Sequence, residues 1–331
     1  MRDVAALAGV SLSTVSRVVN RDGRVDDRLA EQVAQAIDML GYRQNVTASS
    51  LRRSDRVSAS IGLILEDVSN PFFSVLHRGV EEIARERGVL TFAGSSDERP
   101  ERERELASSF AARGVDGLVI APASRDHGYL ERDRAGGMGV VFVDRPSPSP
   151  VPADHVLSDN RGGAEAAVAH LLAHGHRRIA YLGDRPEIFT AAERFAGYRD
   201  ALAAAGIPLD PRLVLHLDTL DGHPGAAVHE LLSRDDPPTA LFSSQNLITI
   251  GALRALHALE LQHRVALVGF DDIELAEVLQ PAVTVVAQDP AAIGRKAAEI
   301  LFARLDGDVG DPVEVIVPTP LLARGSGEIA P

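Results

Sequence analysis

The chain has 331 residues, a formal net charge of −13 and a hydrophobic fraction of 45%, enough to bury more than one core. It contains no cysteine, which excludes disulfides and thiolate metal sites, and no apolar run approaches the roughly 20 residues that cross a bilayer. No basic start followed by an apolar stretch marks it for export, so a cytoplasmic protein is expected. The charge is unevenly spread. Residues 1–56 hold nine arginines and seven acids, a surplus of +2, while the rest of the chain carries −15. A mildly basic head on an acidic body points to two tasks in one chain.

Residues 1–44 read as three short helices. Asp3 to Ala8 form the first, with Val4 and Leu7 as its inward positions, and Gly9 permits a tight turn. Ser11 is placed to cap the second, because its hydroxyl accepts from an orphan amide of the first turn. That helix carries Val15, Val18 and Val19 on one side, and Leu12, Ser13, Ser16, Arg17 and Asn20 towards the other. Asp26 can cap a third, in which Leu29, Val33, Ile37 and Leu40 keep helical spacing until Gly41. A helix, a glycine turn and a second helix fit a helix-turn-helix, whose second helix enters the major groove by its N-terminal end. The same pattern serves an ordinary helix pair. On the DNA reading, Arg17 suits guanine O6 and N7, Leu12 a thymine methyl, and Ser13, Ser16 and Asn20 bases or phosphates.

Asn45 to Ser60 is short of strong apolar residues and reads as a linker with at most one marginal helix, Val46 to Arg53. Beyond it apolar runs recur: SIGLILED, VLTFAGSS, VDGLVIAP, GVVFVDR, RRIAYLGD, LVLHLDT, TALFSSQ and RVALVGFDD. Helix-length segments separate most of them, which predicts parallel sheets covered on both faces. The Pro-rich RPSPSPVP at 145–152 looks like a hinge between two similar doubly wound lobes, and Val283 to Leu322 is expected to complete both sheets. Polar residues follow the runs, among them Asp67, Asp144, Arg145, Asp184, Ser244, Gln245 and Asp271. Ligands of open α/β sheets bind outside those strand ends, although strand ends are also commonly followed by polar loop and cap residues.

Enzyme signatures are missing: no Gly-rich dinucleotide or phosphate loop, no GxSxG elbow and no HExxH. No cofactor, metal or catalytic residue is expected. His170, His174 and His176 read as a solvated helix terminus, and GSSDERPERERE (94–105) as a loop with a salt-bridged helix face.

DVAALAGVSLSTVSRVVN closely resembles the helix-turn-helix of the lactose/galactose repressor (LacI/GalR) family of bacterial transcription regulators. IGLILEDVSNPFF, VDGLVI, LLAHGHRRIAYLGD, RFAGYRDAL, LVGFDD and the Gln-Asp before the last helix follow in family order. The resemblance implies an all-α helix-turn-helix headpiece (1–44), a hinge helix and linker (45–59) and a periplasmic-binding-protein-like core of two doubly wound parallel-sheet lobes. These lobes would span 60–157, completed by about 286–315, and 158–285, completed by about 316–328. It implies a homodimeric repressor in the cytoplasm, nucleoid-associated when bound to a near-palindromic operator, and modulated by a small polar effector (sugar, polyol or nucleoside-like) between the lobes. Leu12, Ser13 and Arg17 then occupy the principal base-reading positions, with Ser16 and Asn20 beside them, and Asn45, Ala48 and Leu51 belong to the hinge helix, Leu51 as a minor-groove wedge. Phe72, Phe73, Asp144, Arg194, Gln245 and Asp271 are the implied effector contacts. On the bland reading the phenylalanines are core, the aspartates cap helices, and Arg194 pairs with Glu193 at the surface.

Several positions depart from the family pattern. Gln245-Asn246 stands where Asn-Asp is familiar, Leu220 replaces an aromatic, and Gln44 replaces a proline. Only Met1 and Arg2 precede Asp3, so either the first helix is under-capped or the true start lies upstream. The end, RGSGEIAP, has no leucine heptad, which favours a dimer over a coiled-coil tetramer. The rival readings are a cytosolic sugar-binding protein without DNA function, which the basic head opposes, and an enzyme, which the missing motifs oppose.

Overall fold

In the head, three helices close on a small core: α1 (Arg2–Ala8), α2 (Leu12–Val19) and α3 (Asp27–Leu40). The computed structural model describes residues 1–19, 25–41, 59–147, 152–217 and 224–331, and the chain divides into two units, Met1–Ser58 and Ala59–Pro331. Val4, Val15 and Val33 are fully buried and Ala36 nearly so, with Ala5, Ala8, Val18, Val19 and Ile37 packed against them. The caps follow the sequence: Ser11 Oγ accepts from Thr14 N at 3.1 Å, and Asp26 Oδ1 from Arg28 N at 3.0 Å. Gly9, at φ 65°, makes the left-handed turn between α1 and α2. No side chain caps α1.

The apolar register differs from the expectation at three positions. Leu7 is 52% exposed, because the inward face of α1 runs through Val4, Ala5 and Ala8. Leu29 and Leu40 also face out, and Ala36 takes the place beside Val33. A three-helix core this small closes best on short side chains where helices cross. Asn20 and the expected hinge-helix residues Asn45, Ala48 and Leu51 lie outside the described residues, as does Leu220.

The second unit holds two six-stranded sheets. The first combines β1 (Ser60–Leu65), β2 (Leu90–Ser95), β3 (Gly117–Ile120), β4 (Gly139–Val143), β5 (Asp154–Ser158) and β11 (Glu314–Val317), in the order β11-β5-β4-β3-β1-β2. Every pairing in it is parallel. The second combines β6 (Ile179–Gly183), β7 (Val214–His216), β8 (Ala240–Ser243), β9 (Ala266–Phe270), β10 (Thr284–Val286) and β12 (Leu321–Leu322), in the order β12-β10-β9-β8-β6-β7. Only the β10–β12 pairing is antiparallel. The five sequential strands of each lobe therefore share one order, with the switch point between β1 and β3 in one lobe and β6 and β8 in the other.

Helices cover both faces of each sheet. On the first lie α4 (Pro71–Glu86) and α11 (Pro290–Leu305) on one side, with Phe110 of α5 (Pro100–Ala112) in the core on the other. On the second, α7 (Asn160–Ala173) and α8 (Phe189–Ala204) oppose α9 (Pro224–Leu232) and α10 (Asn246–Ala258). A short α6 (Glu131–Ala135) lies between β3 and β4. The continuous apolar runs are strands buried on both sides.

RPSPSPVP is not the passage between lobes. It joins β4 to β5, hydrogen-bonded neighbours in one sheet, and β5 itself, DHVLS, is too short and polar to stand out as an apolar run. A proline cluster marks an interrupted backbone without saying which sheet follows it. The chain crosses between the sheets after β5, after β10 and after β11. There Asp159 N donates to Val317 O at 3.0 Å, Ala287 N to Pro320 O at 2.9 Å, and Thr319 Oγ1 to Asp159 O at 2.9 Å.

In the first lobe α4 and α11 meet backbone to backbone: a Cβ on Gly294 would lie 2.1 Å from Leu76 O, and one on Gly79 2.4 Å from Ala291 O. Gly294→Ala should therefore destabilise the protein by about 1–3 kcal/mol through overpacking, although alanine is the better helix former. Urea denaturation of the two proteins measures this, and an equal or higher midpoint for the variant refutes it.

Candidate functional site

In the head, α2 buries one face and leaves the other exposed. Val15 is buried, while Leu12 (46% exposed), Ser13 and Arg17 face out, and Ser16 is half-buried. An exposed leucine at the start of a helix, on the face away from the core, is available for contact rather than for packing.

In the second unit, Phe72, Phe73, Asp144, Arg194, Gln245 and Asp271 all line one cleft at the carboxyl ends of the strands. Glu66, Asn70, Arg145, Asp184, Ile188, Thr190 and Gln288 line it with them. The cleft closes on a cavity of about 40 Å³, room for only a few waters. Across it, Asn246 Nδ2 of the second lobe donates at 2.9 Å to Asn70 Oδ1 of the first, which also caps α4 by accepting from Phe72 N at 3.1 Å.

The two aspartates hold equivalent places after β4 and β9, each with a left-handed backbone: φ 67° at Asp144 and 73° at Asp271. Arg145 N donates to Val143 O at 2.7 Å, so Asp144 is the centre of a γ-turn of the rare, strained kind. Such strain persists where surrounding bonds over-determine it, and it collects at ligand sites. Asp144 N is bonded to Val156 O at 3.1 Å and Asp271 N to Val286 O at 2.9 Å.

Arg194 is only 4% exposed and makes no surface pair with Glu193. Its Nη1 donates to Ser244 O at 2.6 Å and its Nε to Asn160 Oδ1 at 2.8 Å, and its guanidinium lies 3.9 Å from the centre of the Phe270 ring. Asp271 does part of a cap's work, accepting from Asn246 N at 3.2 Å. Its other oxygen accepts from Gln288 Nε2, and Gln288 Oε1 accepts from Ser158 Oγ. Gln245 Oε1 is buried without a hydrogen-bond partner, an acceptor ready for a ligand hydroxyl. Phe72 and Phe73 belong both to the cleft and to the core beneath it.

Two stretches of the chain match family models: residues 1–45 that of the bacterial regulatory proteins of the lacI family, and residues 168–327 that of the periplasmic binding protein-like domain. The chain is 35% identical over 330 residues to the HTH-type transcriptional regulator CelR of Thermobifida fusca, covering 98% of this chain and 97% of that one. The chain belongs to the LacI/GalR family. It is accordingly a DNA-binding transcriptional regulator and not an enzyme. Among solved structures, a CelR–cellobiose complex is 34% identical over 98% of each chain with a TM-score of 0.71. The operator-bound lac repressor dimer, 24% identical over 98% of each chain with a TM-score of 0.83, shares the fold.

Three features of this LacI/GalR member escaped the sequence reading. The first is a buried ion cluster: Arg145 lies 2.7 Å from Glu98 Oε1, 3.2 Å from Asp144 Oδ2 and 3.3 Å from Glu66 Oε2. Burial, reinforced by the Glu98 and Asp144 carboxylates and opposed by Arg145, pushes Glu66 up to about 8. Burial raises Asp144 as well, against the pull of Arg145 and Arg194. The second is Glu103, fully buried although it sits in the charge-dense 94–105 stretch expected to be solvated. Burial alone would raise it, but bonds from His127, Tyr129 and the Ala123 amide hold it below the usual range. The third is His176. It is fully buried rather than solvated, hydrogen-bonded to Thr239 Oγ1 at 2.9 Å and Ile329 O at 2.8 Å. Charge density and residue type give no depth, so none of the three was legible. Among the described residues no group of three or more His, Asp or Glu is placed to hold a metal, and no helix is long and apolar enough to cross a membrane.

Because folding holds on Glu66 a proton that the unfolded chain releases, wild type should lose stability relative to Glu66→Gln as pH rises from about 4.5 to about 8. Thermal unfolding of both proteins across that range tests this, and parallel curves would count against it.

Proposed function

We propose that this regulator is a cytoplasmic repressor that binds a near-palindromic operator as a homodimer and changes its operator affinity when a small sugar or polyol occupies the cleft. The observation that carries the effector reading is the convergence of Asp144, Arg194, Gln245 and Asp271 from two lobes on one cleft. Carboxylates accept from paired hydroxyls, a guanidinium donates to ring and hydroxyl oxygens, and Phe72 and Phe73 offer apolar surface. A relative whose structure is a complex with cellobiose supports the sugar class.

The same groups supply a route to DNA. Asp271 and Arg194 are hydrogen-bonded to Gln288 and Asn160, which flank the crossover segments. A ligand that takes over those bonds favours a different arrangement of the segments, which is the differential interaction any induced change requires. In the head, Leu12, Ser13, Ser16 and Arg17 supply the base and phosphate contacts, together with Asn20. Asn45, Ala48 and Leu51 add minor-groove contacts, Leu51 as the wedge.

Arg17→Ala should cost about 1–3 kcal/mol of operator binding and relax specificity at one position per half-site. Gel shifts with the DNA flanking the regulator's own gene measure it, and equal losses on every sequence would make Arg17 a phosphate contact only. Asp271→Ala and Arg194→Ala should keep operator binding and lose the response to whichever sugar shifts the wild type in a thermal screen. Variants that still respond would remove both residues from the site.

A further inference from the structure

We propose that Asn70 and Asn246 form a latch that holds the two lobes closed across the cleft, with the Asn246 amide supplying a donor that a carboxylate lacks. Asn70 follows β1 in the first lobe and Asn246 follows β8 in the second, 176 positions away in the chain. Each sits at a helix start, Asn70 as the cap of α4 and Asn246 as the first residue of α10. They are 7% and 4% exposed, so their bond is shielded from water.

The surrounding bonds fix which end of each amide faces the other. Asn70 Oδ1 accepts from Phe72 N at 3.1 Å, so that atom is the oxygen and its partner across the cleft must donate. Asn246 Oδ1 accepts from Leu247 N at 2.7 Å, which turns Nδ2 towards Asn70 Oδ1, 2.9 Å away. An ionised aspartate has acceptors only. At position 246 one of its oxygens would still accept from Leu247 N, and the other would face Asn70 Oδ1 with no proton between them. Asp271 would add to the repulsion, since Asn246 N donates to its Oδ2 at 3.2 Å. A helix start by itself suits a carboxylate, and Asn246 stands where the family pattern has aspartate. The amide is matched to the partner across the cleft rather than to its own helix.

The latched lobes enclose about 40 Å³ beside the charged groups, far below the roughly 300–1,000 Å³ of ligand sites. A wider outer chamber of about 450 Å³ is lined by Arg125 from the first lobe and Glu187 from the second. A ligand of more than a few atoms therefore reaches Asp144, Arg194 and Asp271 only after the latch opens, and its apparent affinity scales with the fraction of molecules that are open. Opening also reaches the crossover segments, because Asn246 N and Gln288 Nε2 donate to the two oxygens of Asp271.

The chain has no cysteine, so Arg125→Cys and Glu187→Cys, both exposed and on opposite walls of the outer chamber, carry a pair of spin labels without background. Double electron–electron resonance on the labelled full chain, with no sugar added, reads the separation of the lobes. The chain with both asparagines should give one short distance. Asn246→Asp should raise the ratio of open to closed molecules about tenfold or more and add a longer distance. Asn246→Ala, which removes the donor without adding charge, should have a smaller effect in the same direction, and it carries the comparison if Asn246→Asp loses native circular dichroism. Asn70→Asp should stay closed, because its carboxylate still accepts from Phe72 N and from Asn246 Nδ2. An unsubstituted latch that is already open, Asn246 variants as closed as their parent, or Asn70→Asp opening as far as Asn246→Asp would overturn the proposal. None of these outcomes depends on a sugar, so the latch and the effector reading stand or fall separately.

Discussion

The side-chain amide of Gln288 ties the cleft to the passage between the lobes. It donates to Asp271 in the cleft and accepts from Ser158 where the chain first crosses. Asn160 repeats the arrangement, accepting from Arg194 and donating to the Ser158 carbonyl at 3.1 Å. Buried polar groups cost about 1–3 kcal/mol each when left unpaired. The state of the crossover segments and the partners of the cleft's charged groups must therefore change together, or not at all.

The cleft exists because the lobes are built alike. With the same strand order and switch point in each, the polar residues that end β1, β4, β6, β8 and β9 converge where the two sheets face one another. Asp144 and Asp271 show how closely the two halves correspond. Both take a left-handed backbone after their strand, and both donate a main-chain bond to the next strand in the sheet. The ladder holds the strained turns, and the turns in turn lift two carboxylates out of the sheet plane into the cleft.

The charges inside the cleft are buried together. Three carboxylates share one guanidinium at Arg145, so full ionisation would leave buried negative charge uncompensated, and Glu66 keeps its proton up to about pH 8 instead. Buried ion clusters of this sort add little net stability. What they add here is a set of acceptors, one acid proton and a fixed arginine on the boundary between a tight inner cavity and a wider outer one.

Much of this was legible in the residues. Ser11 and Asp26 cap as their types and spacing require, the apolar runs are strands, and the six expected effector contacts line one cleft, because strand-end position is a property of the local sequence in an open α/β fold. The residues that were not legible share one physical cause. Glu98 and Glu103 lie in a stretch whose composition says solvent, Leu7 and Leu29 have the right type and spacing for a core, and RPSPSPVP looks like a boundary. Depth, facing and adjacency are set by which distant segment packs on each. The sequence by itself determined the helices, the alternating strands and the chemistry available at their ends. Only the tertiary structure decided which charges are buried together, because the pairing of Arg145 with Glu66 and Glu98 joins residues that lie 79 and 47 positions apart in the chain and next to one another in space.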